Sequence, residues 1–429
     1  MRLLIKNGTV IDPKNGINDT LDIYIDNGII EEIGKKLDYS GGEIEVIDAD
    51  GKQLLPGLVD MHCHLREPGQ EYKEDIETGT KSAAKGGFTS VACMPNTVPV
   101  IDNVSVVEYV KSRAKNVGCV NVFPIGAISK GLKGEELAEI GMMKFAGVVA
   151  VSDDGNPVSD SGLMRRALEY AQAFDTPVIS HCETKELAEG SMNEGYTSTA
   201  MGLKGINRAA EEINVARDVI LARSTNTSVH IAHVSTRGSV DIVRQAKKQG
   251  VKVTCETCPH YFTLTEEAVA GYNTNAKMNP PLRTADDVDA IIEGLVDGTI
   301  DAIATDHAPH HADEKNREFE LALNGIVGLE TAFALGVTYL VKQNHFTLDK
   351  LVEKMACNPA KILGISRGSL EVGRAADLVI VDVNKKYTVD TSGFYSKSKN
   401  SPYDGFELFG TVDYTIVNGS VIVREGILI

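Results

Sequence analysis

No stretch of the 429-residue sequence approaches the ~20 consecutive apolar residues of a membrane-spanning helix, which argues against an integral membrane protein. The opening residues, MRLLIKNGTV, lack the apolar run of a secretory signal and carry Lys6. Positive charge is scarce. Lys and Arg number 43 against 60 Asp and Glu, a net charge of −17. Nucleic acids and anionic membranes bind clustered Lys and Arg, so neither is an expected partner. An anionic small molecule would need its own local arginine or metal. Cysteine is sparse as well, with seven residues at 63, 93, 119, 182, 255, 258 and 357. An odd, scattered set makes no disulfide framework, and a reducing cytoplasm is the expected compartment. Internal repeats and low-complexity segments are missing too.

What remains is ordinary globular material, 42% hydrophobic and 24% charged. At ~150 residues per domain the length implies two or three, whereas α/β barrels run to ~250 as one unit. One barrel plus a smaller domain is expected. Both ends read as β structure. Runs such as Leu3-Leu4-Ile5 and Asp22-Ile23-Tyr24-Ile25 are broken by Asn-Gly pairs at 7–8 and 27–28, which signal turns. The other end repeats the style with Asp377-Leu378-Val379-Ile380-Val381 and Asn418-Gly419. Neither end can bury both faces of a sheet alone, so residues 1–53 and 366–429 are expected to form one small β-sandwich. Between them, over 54–365, strands at 57–62, 89–94, 121–126, 147–152, 177–181, 228–233, 252–256 and 301–305 alternate with helical stretches. The first three helices fall near 74–85, 104–114 and 134–144. Alternation of this kind implies βα units and a parallel sheet. With no Gly-rich phosphate loop in the first unit, a (β/α)8 barrel fits better than a doubly wound sheet. Residues 390–405, rich in Ser, Lys, Asn and Tyr, read as a surface excursion.

In such barrels catalytic groups sit at the C-terminal ends of the strands. The first strand ends Asp60-Met61-His62-Cys63-His64, and its two histidines, two apart, point to the same side. They make half of a zinc site. The fourth strand ends Ser152-Asp153-Asp154, the fifth Ser180-His181, the sixth Ala232-His233 and the eighth Thr305-Asp306-His307. Four histidines and two carboxylates suit two divalent ions ~3.5–4 Å apart, which activate water and polarise a carbonyl together. Spacing does not separate Asp153 from Asp154. Alternation does remove His230, three before His233, and His307, next to Asp306; both should face away. Cys255-Glu256-Thr257-Cys258 has no second C-x-x-C and reads as two incidental thiols. Lys144 lies before the fourth strand, so a carbamylated lysine bridging the ions is not expected; a carboxylate takes that place.

Pro56-Gly57-Leu58-Val59-Asp60-Met61-His62-Cys63-His64-Leu65-Arg66-Glu67-Pro68-Gly69 resembles the signature of type I bacterial dihydroorotases in the amidohydrolase superfamily. The likeness continues in order through Met94-Pro95-Asn96-Thr97, Ser152-Asp153-Asp154-Gly155, His181-Cys182-Glu183 and His233-Val234-Ser235-Thr236. It extends to Met278-Asn279-Pro280-Pro281, Ala304-Thr305-Asp306-His307-Ala308-Pro309-His310 and Gly325-Ile326-Val327-Gly328. The resemblance implies His62 and His64 on one metal, His181 and His233 on the other, and Asp154 as the bridge. It makes Asp306 a metal-bound catalytic acid/base. It implies that Arg66, Asn96 and His310, with His64 beside them, hold the substrate carboxylate. Asn279 and the Asn324-Gly325 backbone match further substrate contacts. The implied substrates are N-carbamoyl-L-aspartate and L-dihydroorotate, the implied cofactor two zinc ions per subunit. A homodimer and association with aspartate carbamoyltransferase follow from the same resemblance. Residues 311–324 are either a lid or a plain solvated loop.

Arg66 agrees with this on physical grounds, offering a planar fork for a carboxylate that an acidic protein would otherwise repel. Rival readings are an allantoinase or dihydropyrimidinase, a deacetylase or deaminase on the same barrel, or a catalytically dead scaffold. The bridging carboxylate, the Arg66 and Asn96 pair and His310 speak against the first, a deacetylase or deaminase would not need a carboxylate-binding arginine at this position, and a dead homologue would have lost ligands that are all present here.

Overall fold

The apolar runs of the middle of the chain become parallel strands because helices cover them from outside and side chains fill them from inside. In the computed structural model, which describes residues 2–39 and 43–429, Leu58–Cys63 pairs with Phe88–Cys93, and that strand with Asn121–Pro124. A second set runs Val151–Ser152, Val178–Ser180, Val229–Ile231, Val253–Thr257 and Ala302–Ile303, each parallel to the next. Parallel bridges Gly126–Val151 and Cys63–His307 join the two sets and close the ring. The eight strands therefore follow one another around a barrel in chain order. Its interior is packed by Val59, Met61, Ala92, Met94, Ile125, Ile179, Ala232, Ala302 and Ala304. The barrel is a filled core, and chemistry is confined to the rim above it.

Helices Ile76–Lys85 and Val104–Val117 lie where expected, capped by Asp75 and Asn103 side chains. The third begins later than the sequence suggests, at Ile140–Ala146. Residues 128–138 double back instead, with Ala138 N–H donating to Ile128 O at 2.8 Å and Lys130 N–H to Glu136 O at 3.0 Å. Asp153 anchors the start of this turn, its carboxylate accepting from the Ile128 and Ser129 amides at 2.8 and 3.0 Å.

The two ends share a nine-stranded sheet. Gln53–Pro56 is the seam, parallel to Arg2–Asp12 on one side and antiparallel to Leu378–Thr388 on the other. Leu3, Ile5, Ile23, Ile25, Leu54, Leu378, Ile380 and Ile416 form its own apolar core. Asn27-Gly28 and Asn418-Gly419 are turns with both residues at positive φ, as hairpins of this type require. Asn7-Gly8 is not a turn. It is a bulge within the continuous strand Arg2–Asp12, where a Cβ on Gly8 would fall 2.0 Å from the Leu54 side chain. The 390–405 stretch also departs from expectation. It crosses from the terminal sheet onto the barrel rim, burying Ser396, Ser398, Asn400 and Tyr403. Its polar groups find partners there: Ser398 Oγ donates to Lys73 O at 2.7 Å, and the Ser396 hydroxyl donates to Glu74.

Ile416→Ala should lower the unfolding free energy by ~2–5 kcal/mol, since it empties a fully buried position of the terminal sheet. A urea titration reads this, and the barrel-rim histidines should keep their metal content.

Candidate metal centre

The strand ends converge on one buried cluster. His62 and His64 leave the first strand on the same side, as alternation requires, and both Nε2 atoms face Asp306 Oδ1, at 3.6 and 3.1 Å. Fully buried Asp60 fixes the first and eighth strand ends together. Its carboxylate accepts from the Thr305 amide at 2.9 Å and from the Thr305 hydroxyl at 2.5 Å. Burial pushes the Asp60 carboxyl up to about 7 despite these bonds. His181 and His233, from the fifth and sixth strand ends, bring Nδ1 and Nε2 to within 2.9 Å of each other.

Asp154 stands between the two pairs. Its Oδ1 lies 3.3 Å from His62 Nε2, 3.5 Å from His181 Nδ1 and 3.7 Å from His233 Nε2, and its Oδ2 lies 3.5 Å from His64 Nε2. Of the two neighbouring aspartates, Asp154, the one the resemblance implies, faces the histidines, while Asp153 points outward to the 128–129 turn. Burial raises the Asp154 carboxyl, but the surrounding imidazoles outweigh it and hold the group well below the usual carboxylate range. Asp306 is likewise held low by His64, His62 and His233 against its burial. His62, disfavoured as a cation by burial, is nevertheless raised well above its ordinary value by Asp154, Glu256 and Asp306.

Two groups have all their ligand atoms within 4.8 Å of one another: His62, Asp154 and His233, and His62, His64 and Asp306. His62 Nε2 is buried with no hydrogen-bond partner. His181 Nε2 and His233 Nδ1 are orphaned in the same way, and imidazole and carboxylate donors converging on one interior space with three such nitrogens fit divalent cations of the zinc type. His233 at φ +33 and Asp306 at φ +44 hold left-handed conformations that such residues seldom adopt. Strain of this sort gathers at functional sites.

The ligands are themselves held. His62 Nδ1 donates to Glu256 Oε1 at 2.7 Å, which in the neutral ring leaves Nε2 as the nitrogen with a free lone pair. Glu256 is fully buried, with His230 Nε2 3.4 Å from its other oxygen. Burial raises the Glu256 carboxyl, but His230 and His62 prevail and hold it down to about 2. Sequence reasoning missed Glu256. It is the last residue but one of the seventh strand, between Cys255 and Cys258, which are both buried and free. Asn96 braces His64 in the same way, its Oδ1 2.9 Å from Nδ1 while its Nδ2 donates to Asp154 Oδ2 at 3.3 Å. His307 does face away, accepting from the Gly328 amide through Nδ1 at 3.1 Å.

On one flank of the cluster Arg66 is buried at φ +60 and donates from Nε to Pro309 O at 3.1 Å. Among the described residues it has no carboxylate partner. Its Nη2 lies 3.4 Å from His310 Nε2. Burial, then the charges of Arg66, Lys73 and Lys315, push the His310 imidazolium down to about 2, so the ring is neutral. Its Nε2 donates to Asn324 O at 2.7 Å. Asn324 takes part through its backbone, with its side chain exposed; Gly325 is buried beside His310. Asn279 donates from Nδ2 to Glu183 Oε1 at 2.8 Å, and its Oδ1 is buried without a partner.

An eight-stranded barrel carrying imidazoles and carboxylates on the ends of its first, fourth, fifth, sixth and eighth strands defines an amidohydrolase. Solved structures agree in fold. The L-hydantoinase (dihydropyrimidinase) of Arthrobacter aurescens matches with a TM-score of 0.90 and 27% identity, over 100% of this chain and 97% of that one. The dihydropyrimidinase of Brevibacillus agri gives 0.87 and 23%, over 100% and 96%. A family model described as dihydro-orotase-like matches residues 51–239. The dihydroorotase of Acetivibrio thermocellus is 65% identical over 428 residues, the whole of both chains. That of Ruminiclostridium cellulolyticum is 62% identical over 430 aligned residues, again 100% of both. That of Geobacter metallireducens is 60% identical over 426 residues, covering 99% and 100%. The chain belongs to the dihydroorotase family.

Glu256→Gln should weaken metal binding by ~10–100-fold, because His62 loses the carboxylate that orients it. Competition with a chromogenic chelator measures this; an unchanged affinity would mean that the Glu256–His62 bond has no influence on the centre.

Proposed function

We propose that this chain reversibly closes N-carbamoyl-L-aspartate into L-dihydroorotate with loss of water, a step of de novo pyrimidine biosynthesis. The observation that carries the reading is Arg66, a buried guanidinium with no carboxylate partner among the described residues, beside neutral His310 on the flank of the histidine–carboxylate cluster. A planar cation in that place suits the carboxylate that both substrates carry. Full-length relatives named dihydroorotase support the same activity.

His62 and His64 would hold one zinc ion, His181 and His233 a second, with Asp154 between them and Asp306 at the first. When bound, such a pair lowers the pKa of water and polarises a carbonyl. The chain's own groups do the rest. Arg66 and His310, with Asn96 and His64 beside them, orient the carboxylate; Asn279 and the Asn324-Gly325 backbone meet the ring. In the hydrolytic direction water oxygen adds to the ring amide carbon while Asp306 Oδ accepts its proton. The C–N bond then breaks as Asp306 returns that proton to the leaving nitrogen. In the biosynthetic direction the carbamoyl nitrogen attacks the side-chain carboxyl carbon, Asp306 takes the nitrogen's proton, and it passes that proton to the departing oxygen. Burial of the cluster excludes bulk water from these transfers.

Residues 1–53 and 366–429 act in this reading as one β unit that buttresses the barrel of 54–365. The cytoplasm is the proposed compartment, supported by seven free cysteines. Assembly as a homodimer, and with aspartate carbamoyltransferase, is part of the proposal and is read by sedimentation with and without that enzyme.

The test is turnover of dihydroorotate, and its reverse, by zinc-loaded protein. Asp306→Asn should lower kcat by ~10²–10⁴-fold. Arg66→Met should raise KM for dihydroorotate. Preference for hydantoin, dihydrouracil or allantoin over dihydroorotate would sink the substrate assignment and leave the amidohydrolase centre standing.

A further inference from the structure

Two buried lysines lie beside the candidate substrate pocket, neither with a carboxylate partner among the described residues. Lys277 and Lys315 are 4% and 3% exposed. An ammonium carries three donors and no acceptor. Lys277 Nζ donates to Phe319 O at 2.6 Å, Glu320 O at 3.0 Å and Ala322 O at 2.7 Å. Lys315 Nζ donates to Leu323 O at 2.8 Å, Gly325 O at 3.0 Å and Lys277 O at 3.3 Å. The remaining carbonyl near the end of this run, Asn324 O, accepts from His310. A stretch with no regular secondary structure thus turns nearly every carbonyl from 319 to 325 onto a fixed donor.

Isolated buried ammonium groups are disfavoured, and burial with mutual repulsion pushes Lys315 down to about 7. The carbonyl oxygens oppose this by solvating the charged form in place of water. The arrangement ends at the pocket. Gly325 O is shared between Lys315 and Asn400 Nδ2, the latter at 2.9 Å. Asn400, from the 390–405 segment, also accepts from the His310 amide at 3.1 Å and donates to Ala308 O at 3.1 Å. Gly325 sits at φ +136 so close that an added Cβ would come within 3.1 Å of His310 Cδ2. His310 is tied to this backbone through real bonds: its ring to Asn324 O, and its amide to the same Asn400 side chain that holds Gly325 O.

We propose that Lys315, supported by Lys277, is a positioning residue for substrate binding: it holds the carbonyls of 323 and 325, as Lys277 holds those of 319, 320 and 322, and thereby places His310 and Gly325 against the substrate. The proposal rests on the reading of His310 as a substrate contact. It replaces the alternatives of lid and plain loop with a segment built on an internal cationic scaffold.

Lys315→Met keeps the side-chain bulk and removes all three donors. In the metal-loaded enzyme it should raise KM for dihydroorotate by about tenfold or more, with kcat within about threefold and metal content unchanged, because binding contacts and not chemistry are disturbed. Lys277→Met, which frees only the 319, 320 and 322 carbonyls, should act in the same direction and carries the test if the first variant does not accumulate. Lys315 also lines, with His310 and Asn400, a cavity of about 540 Å³. Through it ethylammonium should restore KM in Lys315→Ala, whereas tetramethylammonium, lacking N–H donors, should not. An unchanged KM in Lys315→Met, or loss of kcat and metal together, overturns the proposal. His310→Ala separates the two readings. If it raises KM while the lysine variants do not, only the lysine role falls; if it leaves KM unchanged, the assignment of His310 falls first.

Discussion

One buried carboxylate organises the centre. Asp154 stands 3.3–3.7 Å from imidazole nitrogens of His62, His64, His181 and His233, which reach it from three strand ends. A single negative charge cannot satisfy four imidazoles that also crowd one another in a dry interior. Either the histidines protonate or cations enter; Glu256, by holding the Nδ1 proton of His62, aims Nε2 into the cluster and makes it more basic toward either one. Much of the surrounding structure serves to keep these groups at that distance. Asp60 ties the eighth strand end to the first, Asp153 pins the turn beside the fourth, and Asn96 spans His64 and Asp154.

Around this centre the chain separates two electrostatic problems. The centre gathers carboxylates and imidazoles, while its flank gathers Arg66, Lys73, Lys315 and a neutral His310. In a chain of net charge −17 such a cationic flank is a local exception. Lys73 is paired with Glu314 at 3.0 Å, whereas Arg66 and Lys315 are held by backbone carbonyls, which keeps Arg66 available to an anion. The family's substrates bring that anion themselves.

The terminal sheet contributes more than packing. Residues 390–405 leave it to cross the rim, and Asn400 fastens the backbone at 308, 310, 325 and 327. The two ends of the sequence thus help to shape a pocket whose chemistry comes from the middle. A surface excursion was the natural reading of that stretch, because Ser, Asn and Lys are the residues of solvated loops; nothing local reveals that their partners are buried carbonyls far away in the chain.

The sequence by itself determined the barrel, the shared terminal β unit and the set of strand-end histidines and aspartates. Each of these follows from short-range periodicity, since alternation with helices dictates parallel pairing and residues two apart share a side of a strand. Only tertiary structure decided that Asn7-Gly8 is a bulge, that the third helix starts at Ile140, and that Glu256 and Asn96 brace the candidate ligands. Strand spacing left Asp153 and Asp154 unseparated, and only the resemblance pointed to Asp154 before the fold showed its direction. Those outcomes depend on what lies opposite each side chain. Glu256 acquires its role from His62, 194 residues earlier, and Lys315 from carbonyls that a loop presents only once it is folded. Hydrogen-bond direction and burial are properties of the assembled neighbourhood, and no local pattern encodes them.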